Sequence, residues 1–284
     1  MAVKQKNPMV QRRQRTALLR VLIQIVFFLV APSAFSSAFA GIKEIGTEFS
    51  TGAVLEWTSF TTVLVFLLIF TIVFGRYFCG YACAFGALGD WIHLISAWIQ
   101  KKLFRKVFAI PEKAVRILQW LKYVILVGIL VICVLGRQQA VNENSPWTVF
   151  SFLSAGNAVP DGKTIGIVLL ILIVCGMAVQ ERFFCQLLCP MGAVFSLLPV
   201  IPLGQLVRNR EQCIKGCSAC SRVCPVHLEL EEDSPRSGEC IRCGKCSNIC
   251  PKQNIHTGWF GLRGTEYIWT IAQAAALLAG LLIL

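Results

Sequence analysis

Eight cysteines fall between Cys213 and Cys250 in a chain that holds fourteen. A packed core does not need that density, which implies disulfides or metal. They form two runs, Cys213-x3-Cys217-x2-Cys220-x3-Cys224-Pro225 and Cys240-x2-Cys243-x2-Cys246-x3-Cys250-Pro251. The second has the spacing that bacterial ferredoxins use for a [4Fe–4S] cluster, and the first differs by one inserted residue around Gly216. Closely spaced thiolates reach three corners of one cubane because the backbone between them curls around it. The fourth cysteine, held beyond a short turn, reaches the other cluster. That exchange assigns Cys213, Cys217, Cys220 and Cys250 to one cluster and Cys240, Cys243, Cys246 and Cys224 to the second. Zinc is the competing reading of C-x2-C pairs. Two tandem four-cysteine runs, each closed by Cys-Pro, favour clusters.

Four further cysteines belong to an internal repeat. The stretch Arg76-Tyr77-Phe78-Cys79-Gly80-Tyr81-Ala82-Cys83-Ala84-Phe85-Gly86-Ala87 aligns with Arg182-Phe183-Phe184-Cys185-Gln186-Leu187-Leu188-Cys189-Pro190-Met191-Gly192-Ala193, sharing the arginine, one phenylalanine, both cysteines, the glycine and the final alanine. On a helix, Cys-x3-Cys sets both sulfurs on one face. Three readings stay open: Cys79, Cys83, Cys185 and Cys189 form one shared iron–sulfur site, each pair cycles as dithiol and disulfide, or all four are small buried hydrophobes. The shared site predicts that the sulfurs converge, with Phe78 and Phe184 packed nearby. Cys133 and Cys175, single cysteines in apolar stretches, are expected in the core.

The elements that must hold these groups are strongly apolar. Of 284 residues, 56% are hydrophobic and 15% charged, and the mean hydropathy is +0.66, too high for an ordinary soluble domain. Apolar blocks at Ala17–Ala40, Ser59–Phe78, Ile117–Gly136 and Thr164–Phe183 have the length of membrane helices, and a shorter block covers Tyr267–Leu284. Pro32 should kink or end the first block. After Cys83, the helical spacing of Leu88, Trp91, Ile92, Ile95, Trp98 and Ile99, ahead of Lys101 and Lys102, predicts a helix lying on the membrane surface.

Basic residues crowd the N-terminus and the loop after the second block, whereas the loops around Glu44–Glu56 and Asn142–Lys163 have few. Positive charge stays on the cytoplasmic side, so the N-terminus and Arg208–His256 should both be cytoplasmic. Lys122 should snorkel towards the cytoplasmic headgroups. The net charge of +12 then reflects topology, and nucleic acid is not an expected partner. The expected fold is an α-helical membrane protein of four to five transmembrane helices, built as two parallel helix-pair repeats, with a small α+β two-cluster ferredoxin-like domain. The domains are residues 1–207 with the CxxxC repeats, residues 208–257 with the two cluster motifs, and residues 258–284 with a further membrane helix.

A membrane anchor, paired CxxxC motifs and a two-cluster segment together resemble the NapH/MauN-type membrane-bound polyferredoxins. The resemblance rests on Cys185-x3-Cys189-Pro190, Cys79-x3-Cys83 and the two cysteine runs, and it covers nearly the whole chain. It implies an electron carrier of the bacterial inner membrane, a quinol dehydrogenase component serving periplasmic redox enzymes. Ala84 stands where the family has proline, and the fifth apolar block exceeds the family's four helices.

Only His93, His227 and His256 exist, none in a predicted membrane helix, which excludes bis-histidine haem in the bilayer. The chain has no c-haem motif, dinucleotide fingerprint or P-loop. The expected function is electron transfer between the quinone pool and redox partners, a periplasmic reductase or flavoprotein or a cytoplasmic ferredoxin or flavodoxin. The alternative is an assembly factor that reduces a metal or thiol for another enzyme. Quinone is hinted at by Glu56-Trp57 and by Asn142–Trp147 with Phe150 and Phe152, residues that equally suit an aromatic belt. Lys215, Arg222, Arg242, Lys245 and Lys252 surround the clusters, where they either steer an acidic partner or balance cluster and lipid charge.

Overall fold

A computed structural model describes residues 8–52, 57–201, 206–208, 211–228, 238–257 and 266–284. Helix α1 (Pro8–Val30) stops short of Pro32, and α2 (Ala34–Thr51) leaves at 62° to it. The break follows because proline cannot donate the next backbone hydrogen bond and its ring clashes with the preceding turn. Helix α3 (Ser59–Phe74) runs back against α2. Gly41 makes this approach possible, since a Cβ there would lie 2.7 Å from the Phe60 carbonyl.

A π-helical turn (Phe78–Ala82) follows, then α4 (Ala84–Phe104), α5 (Glu112–Leu118), α6 (Leu121–Val134), α7 (Gln138–Asn144) and α8 (Pro146–Ser154). The second CxxxC lies in α10 (Phe183–Leu187), between α9 (Thr164–Val179) and α11 (Pro190–Leu197). Helix α9 packs between α4 and α8, and α6 packs against α2 and α11. Both CxxxC stretches thus take the same succession: a 16-residue apolar helix, a reversal, one turn bearing the cysteines, then a new helix. The reversals differ locally, with Gly75 left-handed before Arg76 and Arg182 itself left-handed at φ 58°. Ala84 and Pro190 both open their helices, after cysteines of matching backbone (Cys83 φ −65°, ψ 115°; Cys189 φ −75°, ψ 112°). The first helical residue needs no N–H of its own, so alanine serves there as well as proline.

The cysteine-rich segment is a small α+β unit. Strands β1 (Leu206–Arg208) and β2 (Ile255–Thr257) pair antiparallel, Val207 opposite His256, and α12 (Ala219–Arg222) packs on α13 (Lys245–Ile249). Pairing begins at Leu206, two residues before the boundary expected at 208. Helix α14 (Glu266–Ile283) follows and leans on α3, where Gly280 meets the Phe66 ring and Tyr77 donates to the Thr270 carbonyl at 2.7 Å.

Among the described residues, the continuous stretch Glu112–Val134 is the one helix long and apolar enough to cross a membrane alone, and the bent α1–α2 pair passes together. The blocks at Ser59–Phe74, Thr164–Val179 and Tyr267–Ile283 form shorter apolar helices. Outward faces are nonetheless apolar: Val124, Val127 and Val131 on α6, Ile171 and Leu172 on α9, and Leu94, Ile95 and Trp98 on α4 are exposed. Cys133 is buried as expected, whereas Cys175 is exposed. Helix α9 is apolar all round, so its inward face is set by what α4 and α8 offer.

Candidate functional site

The CxxxC cysteines sit together at the centre of the core. Cys79, Cys83, Cys185 and Cys189 are each buried, and every one lies within electrostatic reach of the other three. The reversals after α3 and α9 turn both cysteine-bearing segments back towards one another. Cys189 Sγ accepts the Gly192 N–H at 3.2 Å, and Arg182 Nη1 lies 3.9 Å from Cys185 Sγ. Phe184 packs on Phe85 at a tilt of 51°, with centroids 4.4 Å apart, and Phe78 meets Phe195 edge-on at 6.3 Å.

Trp147 and Phe150 belong to this same wall rather than to an outer loop surface. Trp147 packs against Phe35, Phe39 and Phe184, and Phe150 against Phe85. Their burial corrects the hint of an outer quinone contact there. The alternation of the loop sequence carried no sign that α8 would tuck inwards. Trp57 is exposed, and Glu56 lies outside the described residues.

The arginines of the repeat cross between halves. Arg182 donates to the Cys79 and Gly80 carbonyls and grips Asp90 with two bonds, Nε to Oδ1 at 2.7 Å and Nη2 to Oδ2 at 2.5 Å. Arg20 and Gln24 complete the shell around Asp90 at 2.6 and 2.7 Å. In the other half Arg76 lies 3.0 Å from where a Cβ on Gly192 would sit, and it pairs with Glu239 at 3.1 Å. Lys122 meets the same carboxylate at 2.5 Å, and Tyr123 donates to it at 2.9 Å. Lys122 therefore does not snorkel: it is wholly buried, because a carboxylate inside the protein serves it better than a distant headgroup. Burial alone would raise the Glu239 carboxyl, but Arg76 and Lys122 hold it below its ordinary value. None of these pairings was anticipated. The available signals were the arginine shared by both repeat copies and an aspartate within the apolar α4 stretch.

In the cysteine-rich unit, Cys213, Cys217, Cys220 and Cys250 line one cavity. Arg208 Nε donates to Cys213 Sγ at 3.2 Å, and the Asn254 N–H to Cys250 Sγ at 3.4 Å. Cys224 lies beside Cys240 and Cys243, and Cys246 beside all three. Burial pushes the Cys224 thiol up to about 11. Among the described residues no three Cys, His, Asp or Glu side chains close on a single-ion site. The thiols line spaces, and N–H groups point at their sulfurs, a donor set that suits iron–sulfur clusters.

Two contacts join the sites. Gly80, inside the first CxxxC, lies flush on the Ile241 carbonyl with no room for a Cβ. At the matching place in the second, Gln186 donates to the Pro225 carbonyl. Each CxxxC thus touches the backbone beside a cysteine of the second group, Cys240 and Cys243 on one side and Cys224 on the other. Arg242, expected at a docking surface, is buried beside Tyr77 and Tyr81, and Lys245 is engaged by Glu181. Lys215, Arg222 and Lys252 remain exposed, as does Cys217.

A family model for a 4Fe-4S binding domain matches residues 56–106 and 164–202, the two CxxxC regions. A second, for a 4Fe-4S dicluster domain, matches residues 205–255. The chain is 29% identical over 170 residues to the ferredoxin-type protein NapH of Haemophilus influenzae, covering 56% of this chain and 55% of that one. The chain is thus similar to the NapH-type, ferredoxin-type proteins. It is also 28% identical over 156 residues to an uncharacterized protein of Methanocaldococcus jannaschii, covering 54% of each. Against the protein NirI of Paracoccus denitrificans it is 28% identical over 170 residues, 58% of this chain and 23% of that one. The match spans about half the length of the first two relatives. No solved structure matches it. The two 4Fe–4S domain matches and these relatives make the chain similar to ferredoxin-type iron–sulfur proteins.

Proposed function

We propose that the chain is a membrane-bound electron carrier linking the quinone pool to redox partner proteins. In this reading Cys213, Cys217, Cys220 and Cys250 hold one [4Fe–4S] cluster, Cys240, Cys243, Cys246 and Cys224 a second, and Cys79, Cys83, Cys185 and Cys189 a further iron–sulfur centre. Such clusters supply one-electron transfer when bound. The observation that carries the reading is the paired contact of Gly80 with Ile241 and of Gln186 with Pro225. It seats the buried thiol site directly behind the second cysteine group, and Cys246 adjoins Cys220 of the first. The residues thus form a line from the core to exposed Cys217, where Lys215 and Lys252 flank the surface that a redox partner meets.

Anaerobic purification followed by iron and sulfide counting tests the arrangement. About twelve irons per chain, or about ten with a smaller core centre, are expected, and about eight would remove the CxxxC cluster.

The apolar outward faces of α4, α6 and α9 support residence in a bilayer, which lets such surface stay exposed at no hydration cost. The basic-loop asymmetry puts the N-terminus and the cysteine-rich unit in the cytoplasm. Reporter fusions after Glu56 and after Cys250 should give opposite signals, and matching signals would overturn this orientation.

A further inference from the structure

The two copies of the repeat interlock at their glycines. A Cβ on Gly86 would lie 2.5 Å from Arg182 Nη1 and 3.1 Å from the Cys79 carbonyl, and one on Gly192 would lie 3.0 Å from Arg76 Nη2 and 3.1 Å from the Cys185 carbonyl. The arginine of each copy thus fills space left by the other copy's glycine, beside a cysteine of that other copy. We propose that Arg76 and Arg182 are positioning residues for the core iron–sulfur centre, offsetting its negative charge and making it easier to reduce. The inference rests on the reading of Cys79, Cys83, Cys185 and Cys189 as one ligand set.

Each half holds two buried cations on one carboxylate, Arg20 and Arg182 on Asp90, Arg76 and Lys122 on Glu239. Two cations less one carboxylate leave each trio with a net positive charge. That charge sits beside sulfur. Arg182 is within electrostatic reach of Cys83 and Cys185, and Arg76 of Cys79, Cys185 and Cys189. Neutral thiols or disulfides would leave both charges uncompensated in the core, which is costly. Four thiolates around an oxidised iron–sulfur core carry a net negative charge that compensates them.

The two arginines are not equally engaged. Arg182 gives its N–H groups to Asp90 and to the Cys79 and Gly80 carbonyls, with Nη1 also 3.9 Å from Cys185 Sγ. Arg76 places Nη1 on Glu239 and on the Gly238 carbonyl, but its Nε and Nη2 are buried with no hydrogen-bond partner. A guanidinium withdrawn from water holds idle donors at a cost in free energy that only an acceptor offsets. Cluster sulfurs bound to Cys79 and Cys189 would be acceptors at the right place.

Reduction adds one negative charge to this site, exchanged as one electron with the second [4Fe–4S] cluster, which is oxidised in the same step. Buried cations and N–H groups beside the sulfurs stabilise the added charge more than water-exposed ones would, and so raise the potential. Arg76, with donors to spare, should contribute more than Arg182.

The test is a dithionite redox titration of the anaerobically purified full chain in detergent, read by electron paramagnetic resonance. The signal missing from Cys79→Ser is that of the core centre. Arg76→Met leaves Lys122 on Glu239, and Arg182→Met leaves Arg20 on Asp90, so neither strands a carboxylate. Arg76→Met should disfavour reduction about tenfold at the parent iron and sulfide content, a fall of about 59 mV for one electron. Arg182→Met should give a smaller fall, and Arg76→Lys, which restores the charge, should recover part of the loss. Lys122→Met removes the other cation of the same half while Arg76 stays on Glu239. It should lower the midpoint too, and it decides the matter if Arg76→Met does not assemble. An unchanged or raised midpoint in these methionine variants, or no recovery in Arg76→Lys, would overturn the role of the arginines while a parent count of about ten to twelve irons left the core centre standing. A parent count of about eight would sink the core centre and this inference together.

Discussion

Glu239→Ala is expected to destabilise the protein by about 3–5 kcal/mol, read as a lower unfolding midpoint in detergent, because it strands two buried cations. Lys122 and Arg76 are 0% and 1% exposed at the side chain, and Glu239 is the carboxylate paired with both. Tyr123 loses an acceptor as well. The damage should focus on the join between core and cysteine-rich unit, since Arg76 also holds the Gly238 carbonyl at 3.3 Å. Faster proteolysis around residues 238–246 is the second readout.

The same pair sets a pH dependence. The folded Glu239 carboxyl lies below its ordinary value, so its contribution is fully present above about pH 4.3 and is lost as the pH falls through the depressed folded value. Parent and Glu239→Gln should therefore differ in stability near neutrality and converge in acid. A loss smaller than about 1 kcal/mol in Glu239→Ala would mean that water already shields the cations.

Cys79→Ser and Cys185→Ser, made separately, are each expected to abolish the whole core centre and return the count to about eight irons. The double variant should lose no more than either single one, since one ligand set cannot be removed twice. Two independent dithiols would behave otherwise: the parent itself would count about eight irons, neither variant would change that count, and each would lose one reactive pair additively. Burial of all four sulfurs beside the Phe85–Phe184 pair limits water at this site, so thiol-labelling reagents should reach them slowly until the protein is unfolded.

Much of the site was legible because its information is local. Cysteine spacing dictates which thiols one curl of backbone can offer to a cluster, and the two runs with their Cys-Pro endings specify this without tertiary help. The repeat was equally visible, since it is written in identical residues, and so was the break at Pro32, which follows from a missing donor. Composition dictated mostly helical elements with apolar faces.

What the tertiary structure decided concerns residues far apart in the chain. Arg20 reaches Asp90 across 70 positions, and Arg76 reaches Glu239 across 163. No periodicity encodes such pairs, because each side chain obeys only its own helix until packing brings the helices together. For the same reason Lys122 turned inward to Glu239, Arg242 went from an expected surface to a buried place beside Tyr77 and Tyr81, and Cys175 faced outward from a helix with no intrinsic inside. Trp147 and Phe150 joined the aromatic wall because α8 packs along α9, where Gly166 lets the backbone of Ser145 come close. The sequence by itself determined the chemistry each segment can perform. Packing of buried charge against buried charge decided where those segments meet, since a charge withdrawn from water must find its partner wherever the fold provides one.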